Sequence, residues 1–258
     1  MLILLPPSEG KTPATSGSPV DLARLSAPSL TRHRTKVLRA LARASARRNA
    51  LDILGVGPSL ADDVARNTRL DTEPAAPAGQ VYTGVLYAAA GLDDLSPAQT
   101  ELAAASVRTI SALWGAVGPG DVVPAYRLSM GTDLPGVGPL APTWRPLLEK
   151  VLAPRAAGDV VVDCRSAAYL AAWKPGKGTD WVSVRVLREL DGKQSVVSHN
   201  AKHTRGLLTR HLLTRDGAEP RTAEDVYKAA HELVGTTLID ATLIEGKNGA
   251  STLELVVA

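Results

Sequence analysis

The sequence predicts a mixed α/β fold built as one domain of residues 1–258. Apolar runs of strand length alternate with segments of helical period along the chain, which is typical of this class. Asp191-Gly192 between two strand-like runs is a hairpin signal, so at least one strand pair is antiparallel. With 45% hydrophobic and 21% charged residues, the composition excludes a disordered chain, a collagen-like rod and a coiled coil.

Local signals predict the elements of the first half of the chain. The apolar run 2–5 predicts a short buried strand, which two prolines end. The helical spacing of apolar and basic residues predicts a helix over 32–48. Ser59 can act as the N-cap of the helix after it. Ser96 before a proline predicts an N-cap and a helix that reaches residue 108.

The second half continues the alternation. Thr222, with an acid three residues later, predicts the start of a helix that Gly235 ends. The other predicted elements are helices over 143–152 and 202–213, a buried strand over 160–164, and strands over 182–190, 194–198, 236–244 and 252–257.

Positive charge is concentrated in two segments, although the net charge is only +3. Residues 22–51 contain eight Lys or Arg and no acid. On a helix, the apolar side chains there lie opposite a basic stripe. A solvated face gives this pattern, and so does a face that attracts a polyanion. A second basic segment over 202–221 favours the polyanion. The basic stripe consists of Arg32, Lys36, Arg39, Arg43 and Arg47.

The sequence predicts no metal, no cofactor and no membrane segment. The single cysteine, Cys164, allows neither an internal disulfide nor a cysteine zinc site, and His199 and His203 have no third ligand nearby. No apolar run approaches the ~20 residues of a membrane span. Residues 1–11 lack the basic lead of a secretory signal, so we expect a cytoplasmic protein.

Two kinds of glycine motif suggest phosphate binding. Gly10-Lys11-Thr12 follows a strand, but Leu5 and Pro13 exclude a complete phosphate-binding loop. The motif still places Ser8, Lys11 and Thr12 at a strand end, where open sheets bind ligands. Three further stretches, at 54–58 (LGVGP), 114–119 (WGAVGP) and 134–139 (LPGVGP), have the alternating glycines of a helix-hairpin-helix turn.

Four segments together resemble the YaaA family of peroxide stress resistance proteins. They are MLILLPPSEGKT at 1–12, VYTG at 81–84, SALWGAVGPGDVVPAYRLSM at 111–130 and SHNAKHTRGLLTR at 198–210. The resemblance implies helices around a central sheet, a basic cleft, a helix-hairpin-helix element and binding of duplex and branched DNA. It also implies a role in the oxidative stress response, in keeping free iron low and in recombinational repair. It implies no cofactor and no reaction.

The resemblance also marks candidate phosphate-binding residues. We expect at least three of the four cations among them to share one cleft, partly neutralised by carboxylates such as Asp163. The hairpin is assigned to 115–119 because that stretch lies in a matched segment. The candidates are Ser8, Lys11, Thr12, Tyr82, Gly84, Tyr126, Arg127, Lys202, Arg205 and Gly206, with Gly115 and Gly118 of the hairpin and Arg39 and Arg43 of the basic stripe.

Three functions remain open. The leading one is a DNA-binding protein of the peroxide response that contacts phosphates, because only 3% of the residues are aromatic and base stacking is therefore limited. The second is an enzyme acting on a small phosphorylated or nucleotide-like substrate, an anionic ligand that the same cleft could hold. The third is an interaction protein that reaches DNA through repair proteins. An open groove favours the first, and a closed pocket favours the second.

Overall fold

The computed structural model describes residues 1–190, 193–196 and 199–258. The helices are α1 Thr31–Ser45, α2 Ala50–Leu54, α3 Ala61–Arg66, α4 Ala78–Val81, α5 Val85–Ala90, α6 Pro97–Ser106, α7 Leu140–Ala156, α8 Ala167–Leu170, α9 His199–Thr214 and α10 Ala223–His231. The strands are β1 Leu2–Leu5, β2 Ala76–Pro77, β3 Val107–Ser111, β4 Gly115–Val117, β5 Val122–Val123, β6 Asp133–Leu134, β7 Gly138–Pro139, β8 Val160–Asp163, β9 Asp180–Leu190, β10 Lys193–Val196, β11 Asp240–Glu245 and β12 Ala250–Val257.

Eight strands form one mixed sheet, which confirms the α/β class. Its order is β11-β12-β9-β8-β1-β3-β4, and β10 pairs with the carboxyl end of β9. The five inner strands, from β12 to β3, are parallel, whereas β4, β10 and β11 pair antiparallel. The β9–β10 hairpin is therefore as predicted, and its turn residues, 191 and 192, lie outside the described residues.

The apolar sequences of the inner strands explain their central position. Every residue of β1 (LILL) and of β8 (VVVD) is buried, as expected for strands covered on both faces. The chain contains no phenylalanine, and the largest fully buried side chains are three tryptophans, Trp114, Trp144 and Trp173.

Helix boundaries agree with two of the three capping signals. The prediction that Ser59 caps a helix is wrong, because Ser59 lies within the 3-10 turn Pro58–Leu60 and the N-cap of α3 is Leu60, without a side-chain cap. Ser96 and Thr222 both form complete capping boxes, with Gln99 and Asp225 respectively. Helix α6 ends at Ser106, because the chain enters β3 at once, so the prediction that it reaches residue 108 is wrong. Helix α10 ends at His231, before the predicted glycine stop, and α7 is longer at both ends than predicted.

Helix α1 exposes its basic side chains and packs its apolar face, as predicted, but it ends at Ser45, so Arg47 and the predicted end at residue 48 lie beyond the helix. Arg32, Lys36, Arg39 and Arg43 are exposed, whereas the leucine and valine side chains opposite them are buried. Arg34 points the other way and is fully buried. Its guanidinium donates hydrogen bonds to the carbonyl oxygens of Trp114, Ala116 and Ser26, at 2.6–3.0 Å. Arg34 therefore anchors α1 to β4.

The three glycine-rich stretches have three different structures. WGAVGP lies largely in β4, which pairs with β3, so the prediction of a helix-hairpin-helix at 115–119 is wrong. Gly115 has a φ of +72°, and a Cβ there would lie 2.6 Å from the Trp144 ring. Gly118 instead donates its N–H to Asp121 in a turn. LPGVGP forms the β6–β7 hairpin, and LGVGP joins α2 to α3.

The order of the strands opens a crevice beside β1. The chain leaves β1 toward β3 on one side, returns to β8 on the other, and continues outward to β9. The loops after β1 and β8 therefore diverge at the carboxyl ends of two adjacent parallel strands, where open α/β sheets bind their ligands. Within the ranges given above, no helix is long and apolar enough to span a membrane.

Candidate functional site

A cavity of about 390 Å³ lies in this crevice. Six separate parts of the chain form its wall: the loop after β1, the α2–α3 turn, α5, residues 127–129, the loop after β8, and α9. Its lining residues are Pro6, Pro7, Ser8, Glu9, Lys11, Leu54, Gly55, Val56, Leu86, Arg127, Leu128, Ser129, Ser166, Tyr169, Lys202 and Arg205.

All four cations that the sequence predicts to gather, Lys11, Arg127, Lys202 and Arg205, line this cavity. The hydrogen bonds of three of them go to backbone carbonyl oxygens. Within the described part of the chain, none of the four forms an ion pair with a carboxylate within 4.0 Å. Glu9 is the one acid among the lining residues. The cavity therefore has a positive field that an anion would neutralise.

Lys11 is the most perturbed of these cations. Its backbone pairs with Tyr82 in an isolated antiparallel bridge. Its ammonium donates a 2.7 Å hydrogen bond to the Ser8 carbonyl oxygen and lies 4.4 Å from the centre of the Tyr126 ring. Burial lowers the pKa of Lys11 to about 7, and the positive charge of Arg127 acts in the same direction. A large fraction of this amine is therefore neutral near pH 7.

Buried hydroxyl groups form the wall behind Lys11. The Tyr126 hydroxyl lies 2.6 Å from the Ser111 hydroxyl and 3.2 Å from that of Tyr82. Ser111 also accepts hydrogen bonds from two backbone N–H groups in the turn after β3. Burial holds the pKa values of Tyr82 and Tyr126 well above their ordinary value, so both phenols stay neutral. They hold Lys11 against a fixed aromatic surface without pairing its charge.

Backbone contacts fix the two arginines. The side-chain amide of Asn67 donates a 2.8 Å hydrogen bond to the Arg127 carbonyl oxygen and accepts one of 2.9 Å from the Arg127 N–H. The Arg205 guanidinium donates two hydrogen bonds to the Val184 carbonyl oxygen of β9. Gly206 lets α9 approach α5, since a Cβ at that position would lie 2.2 Å from the Leu86 carbonyl oxygen. Gly206 thus sets the position of Lys202 and Arg205 through packing.

Asp163 does not neutralise the cations of the cavity, contrary to expectation. Its carboxylate forms a buried two-point ion pair with Arg165, two residues along the chain. Arg165 also donates to the Trp173 carbonyl oxygen, and the Trp181 indole donates to Asp163. This network fixes the turn after β8 that brings Ser166 and Tyr169 to the cavity.

The remaining candidates lie at different distances from the cavity. Ser8 lines it, whereas Thr12 lies beyond it, with its N–H bonded to Val81 and its hydroxyl to Thr83. Gly84 lines a second, smaller cavity of about 200 Å³. The loop after β1 and Lys202 line both cavities. The larger cavity is not lined by Gly115, Gly118, Arg39 or Arg43.

The α2–α3 turn and Tyr169 also line the cavity, although neither is among the residues predicted from the sequence to bind phosphate. Of the three glycine-rich stretches, LGVGP alone has a predicted helix on each side, a signal that could have selected it. Gly55 and Gly57 are exposed there, and an added Cβ would meet nothing within 4 Å. Burial raises the pKa of Tyr169 to about 12, so its hydroxyl remains protonated at the cavity wall.

Comparisons with known proteins identify the family of this chain. Residues 1–232 match the family model described as peroxide stress protein YaaA. A UPF0246 protein of Streptomyces coelicolor is 45% identical over 237 residues, which cover 90% of each chain. UPF0246 proteins of Corynebacterium efficiens and Corynebacterium glutamicum are 40% and 38% identical over the full length of both chains. The chain belongs to the YaaA family of peroxide stress proteins.

Proposed function

We propose that this protein binds DNA during the peroxide stress response, mainly through phosphate groups. The observation that carries the proposal is the group of basic side chains beside the α2–α3 turn, none of which pairs with a carboxylate of the described residues. Such a group binds phosphate well, because its positive charges neutralise the phosphate charge. Each phosphate that the protein neutralises on a nucleic acid also releases counterions, which favours binding. The stress response comes from the family, and DNA as the source of the phosphate is our inference.

The surroundings of the cavity provide further contacts for a nucleic acid. The exposed backbone of Gly55 and Gly57 lets a phosphate approach without obstruction by a side chain. Helix α1 contacts α2 and exposes the basic stripe to solvent. A duplex lying over the α2–α3 turn would therefore meet cations on a helix and in a cavity.

The size of the cavity limits what it can hold. A volume of about 390 Å³ is in the range of small-ligand sites and is too small for a duplex. The duplex therefore stays outside, and the cavity takes a single nucleotide or a terminal phosphate. This division assigns general affinity to the basic stripe and recognition of an irregular or broken strand to the cavity.

Charge reversal in the basic stripe tests the proposal. We expect Arg39→Glu with Arg43→Glu to weaken binding of every duplex sequence alike. The slope of log affinity against log salt should become shallower by the amount that about two phosphate contacts contribute. The measurement is a mobility shift over a salt series, on duplex, bubble and junction DNA. The control is Lys150→Glu with Lys247→Glu, which changes the charge equally at exposed positions elsewhere. Equal effects of the two pairs, or affinity independent of salt, would contradict the proposal.

A second candidate, an enzyme acting on a small phosphorylated substrate, is favoured by the volume of the cavity, which is in the range of small-ligand sites. If this function is correct, nucleoside monophosphates alone should raise the melting temperature of the protein. The double variant Arg127→Gln with Arg205→Gln should abolish that effect. If DNA raises the melting temperature of the protein and nucleoside monophosphates do not, the enzyme function is excluded.

A further inference from the structure

We propose that Lys11 captures an aldehyde-bearing sugar phosphate in the cavity as a covalent imine. This inference rests on the proposed binding of a phosphorylated ligand, and it adds a reaction to it. The shared chemistry is a sugar aldehyde with at least one phosphate. It could come from a DNA strand with a missing base or from a free deoxyribose phosphate.

The position of Lys11 supports the role of a nucleophile. Among the lining residues that the structure describes, the two amines are Lys11 and Lys202, whereas Arg127 and Arg205 carry guanidinium groups, which are poor nucleophiles. Lys202 is exposed, whereas Lys11 is partly buried and held by the Ser8 carbonyl oxygen and the Tyr126 ring. A fixed amine meets a bound carbonyl group more often than a mobile one.

The environment also favours the reactive form of the amine. Only a neutral amine has the lone pair that attacks a carbonyl carbon. Burial, and then the charge of Arg127, lower the pKa of Lys11 to about 7, whereas Asp63 and Glu9 oppose the shift. The other groups facing it, Tyr82 and Tyr126, stay neutral because burial raises their pKa values. A bound phosphate would orient the aldehyde while Arg127, Lys202 and Arg205 hold it.

The reaction balances without another reagent. The Lys11 nitrogen forms a bond to the aldehyde carbon, and the electron pair of the C=O π bond moves to oxygen. Both amine hydrogens leave with that oxygen as water, and the product is a C=N bond. Added borohydride then delivers hydride to the imine carbon while solvent protonates the nitrogen, which leaves a stable secondary amine.

The choice of a sugar phosphate follows from the lining. Three cations besides Lys11 require an anion, and one nucleotide-sized unit fills about 390 Å³. A deoxyribose that has lost its base opens to an aldehyde, occupies less space than a complete nucleotide, and carries a phosphate on each side when it is part of a strand. It therefore presents both chemical groups that the cavity is equipped to bind.

Borohydride trapping tests the inference on the full chain. The probes are a duplex with one abasic site, the same duplex intact, and free deoxyribose 5-phosphate. We expect an adduct with the first or the third probe and none with the intact duplex, and peptide mapping should place it on Lys11. Lys11→Arg and Lys11→Met should lose at least 90% of the adduct, whereas Lys150→Arg, at an exposed lysine that does not line the cavity, should retain it.

The pH profile distinguishes Lys11 from an ordinary surface lysine. Trapping by Lys11 should rise through about pH 7 and level off, because the neutral fraction of the amine is then complete. An exposed lysine would continue to gain reactivity toward pH 10.5. A profile of the second kind, or an adduct spread over several lysines, would overturn the assignment.

The outcomes also separate this inference from the proposed function. DNA binding in the mobility shift without an adduct from any probe would overturn the inference and leave DNA binding intact. An adduct with free deoxyribose 5-phosphate and no affinity for any DNA would overturn the proposed function and support the inference. An adduct with the abasic duplex that Lys11→Arg loses while it still binds that duplex supports both.

Discussion

Replacement of Arg34 by methionine tests whether this buried cation holds α1 on the sheet. The substitution keeps most of the side-chain stem and removes every donor. It leaves two carbonyl oxygens, those of Trp114 just before β4 and of Ala116 within it, without their guanidinium partner, and also removes the bonds to Ser26 and Ala27. Each unsatisfied buried acceptor costs about 1–3 kcal/mol.

The expected loss is smaller than the sum of these contributions. Burial lowers the pKa of Arg34 to about 10, so the folded protein already bears a cost for desolvating the charge, and methionine removes that cost. We therefore expect the free energy of unfolding to fall by about 2–4 kcal/mol. The matched control is Arg39→Met on the exposed face of the same helix, which should change it by no more than about 0.5 kcal/mol.

Urea unfolding followed by tryptophan fluorescence provides the measurement, because Trp114 and Trp144 are fully buried in the core. The dependence on urea concentration should keep its slope in both variants. A loss below about 1 kcal/mol in Arg34→Met would refute the reasoning, since the orphaned acceptors alone should cost at least that much. So would equal losses in Arg34→Met and Arg39→Met.

Two further predictions concern the cavity. Gly206→Ala places a methyl group 2.2 Å from the Leu86 carbonyl oxygen, so we expect a loss of about 1–3 kcal/mol in urea unfolding together with weaker binding of anions. Gly120→Ala, where an added Cβ meets nothing, should retain both properties. Lys11 has a pKa of about 7 in the folded protein against an ordinary 10.5, so the unfolded chain binds more protons between these values and stability should rise with pH there. The stability of the wild type relative to Lys11→Met should therefore increase from pH 7 to pH 10, and a difference independent of pH would contradict the shift.

Local sequence patterns predicted those elements whose conformation depends mainly on neighbouring residues. The run Leu2–Leu5 and the capping boxes at Ser96 and Thr222 required only neighbouring residues. The position of Arg34 also follows from helical period, because it lies 200° from Arg32 and only 60° from Val37. Strand β3 was missed because helix-forming residues precede it directly and its five residues are too few to show a period.

Contacts between distant parts of the chain were beyond local patterns. The sequence around Gly115 does not show that the Trp144 ring occupies the space beside it in the fold. From the sequence, this glycine was therefore equally consistent with a strand and with a helical turn. The four cations were grouped through the family resemblance and not through spacing. Asp163 was assigned to them although a closer partner, Arg165, stood two residues away, and short-range pairing prevailed over the distant cluster.

The central position of β1 also affects how the protein must be synthesised. The apolar strand Leu2–Leu5 emerges from the ribosome about 100 residues before β3 and about 155 before β8, the two strands that flank it. At ~5–20 residues per second, it waits about 5–20 s for the first neighbour and about 8–30 s for the second. Throughout that interval its unpaired edges can associate with other nascent chains. Slower translation therefore lengthens the period during which these strand edges are unpaired.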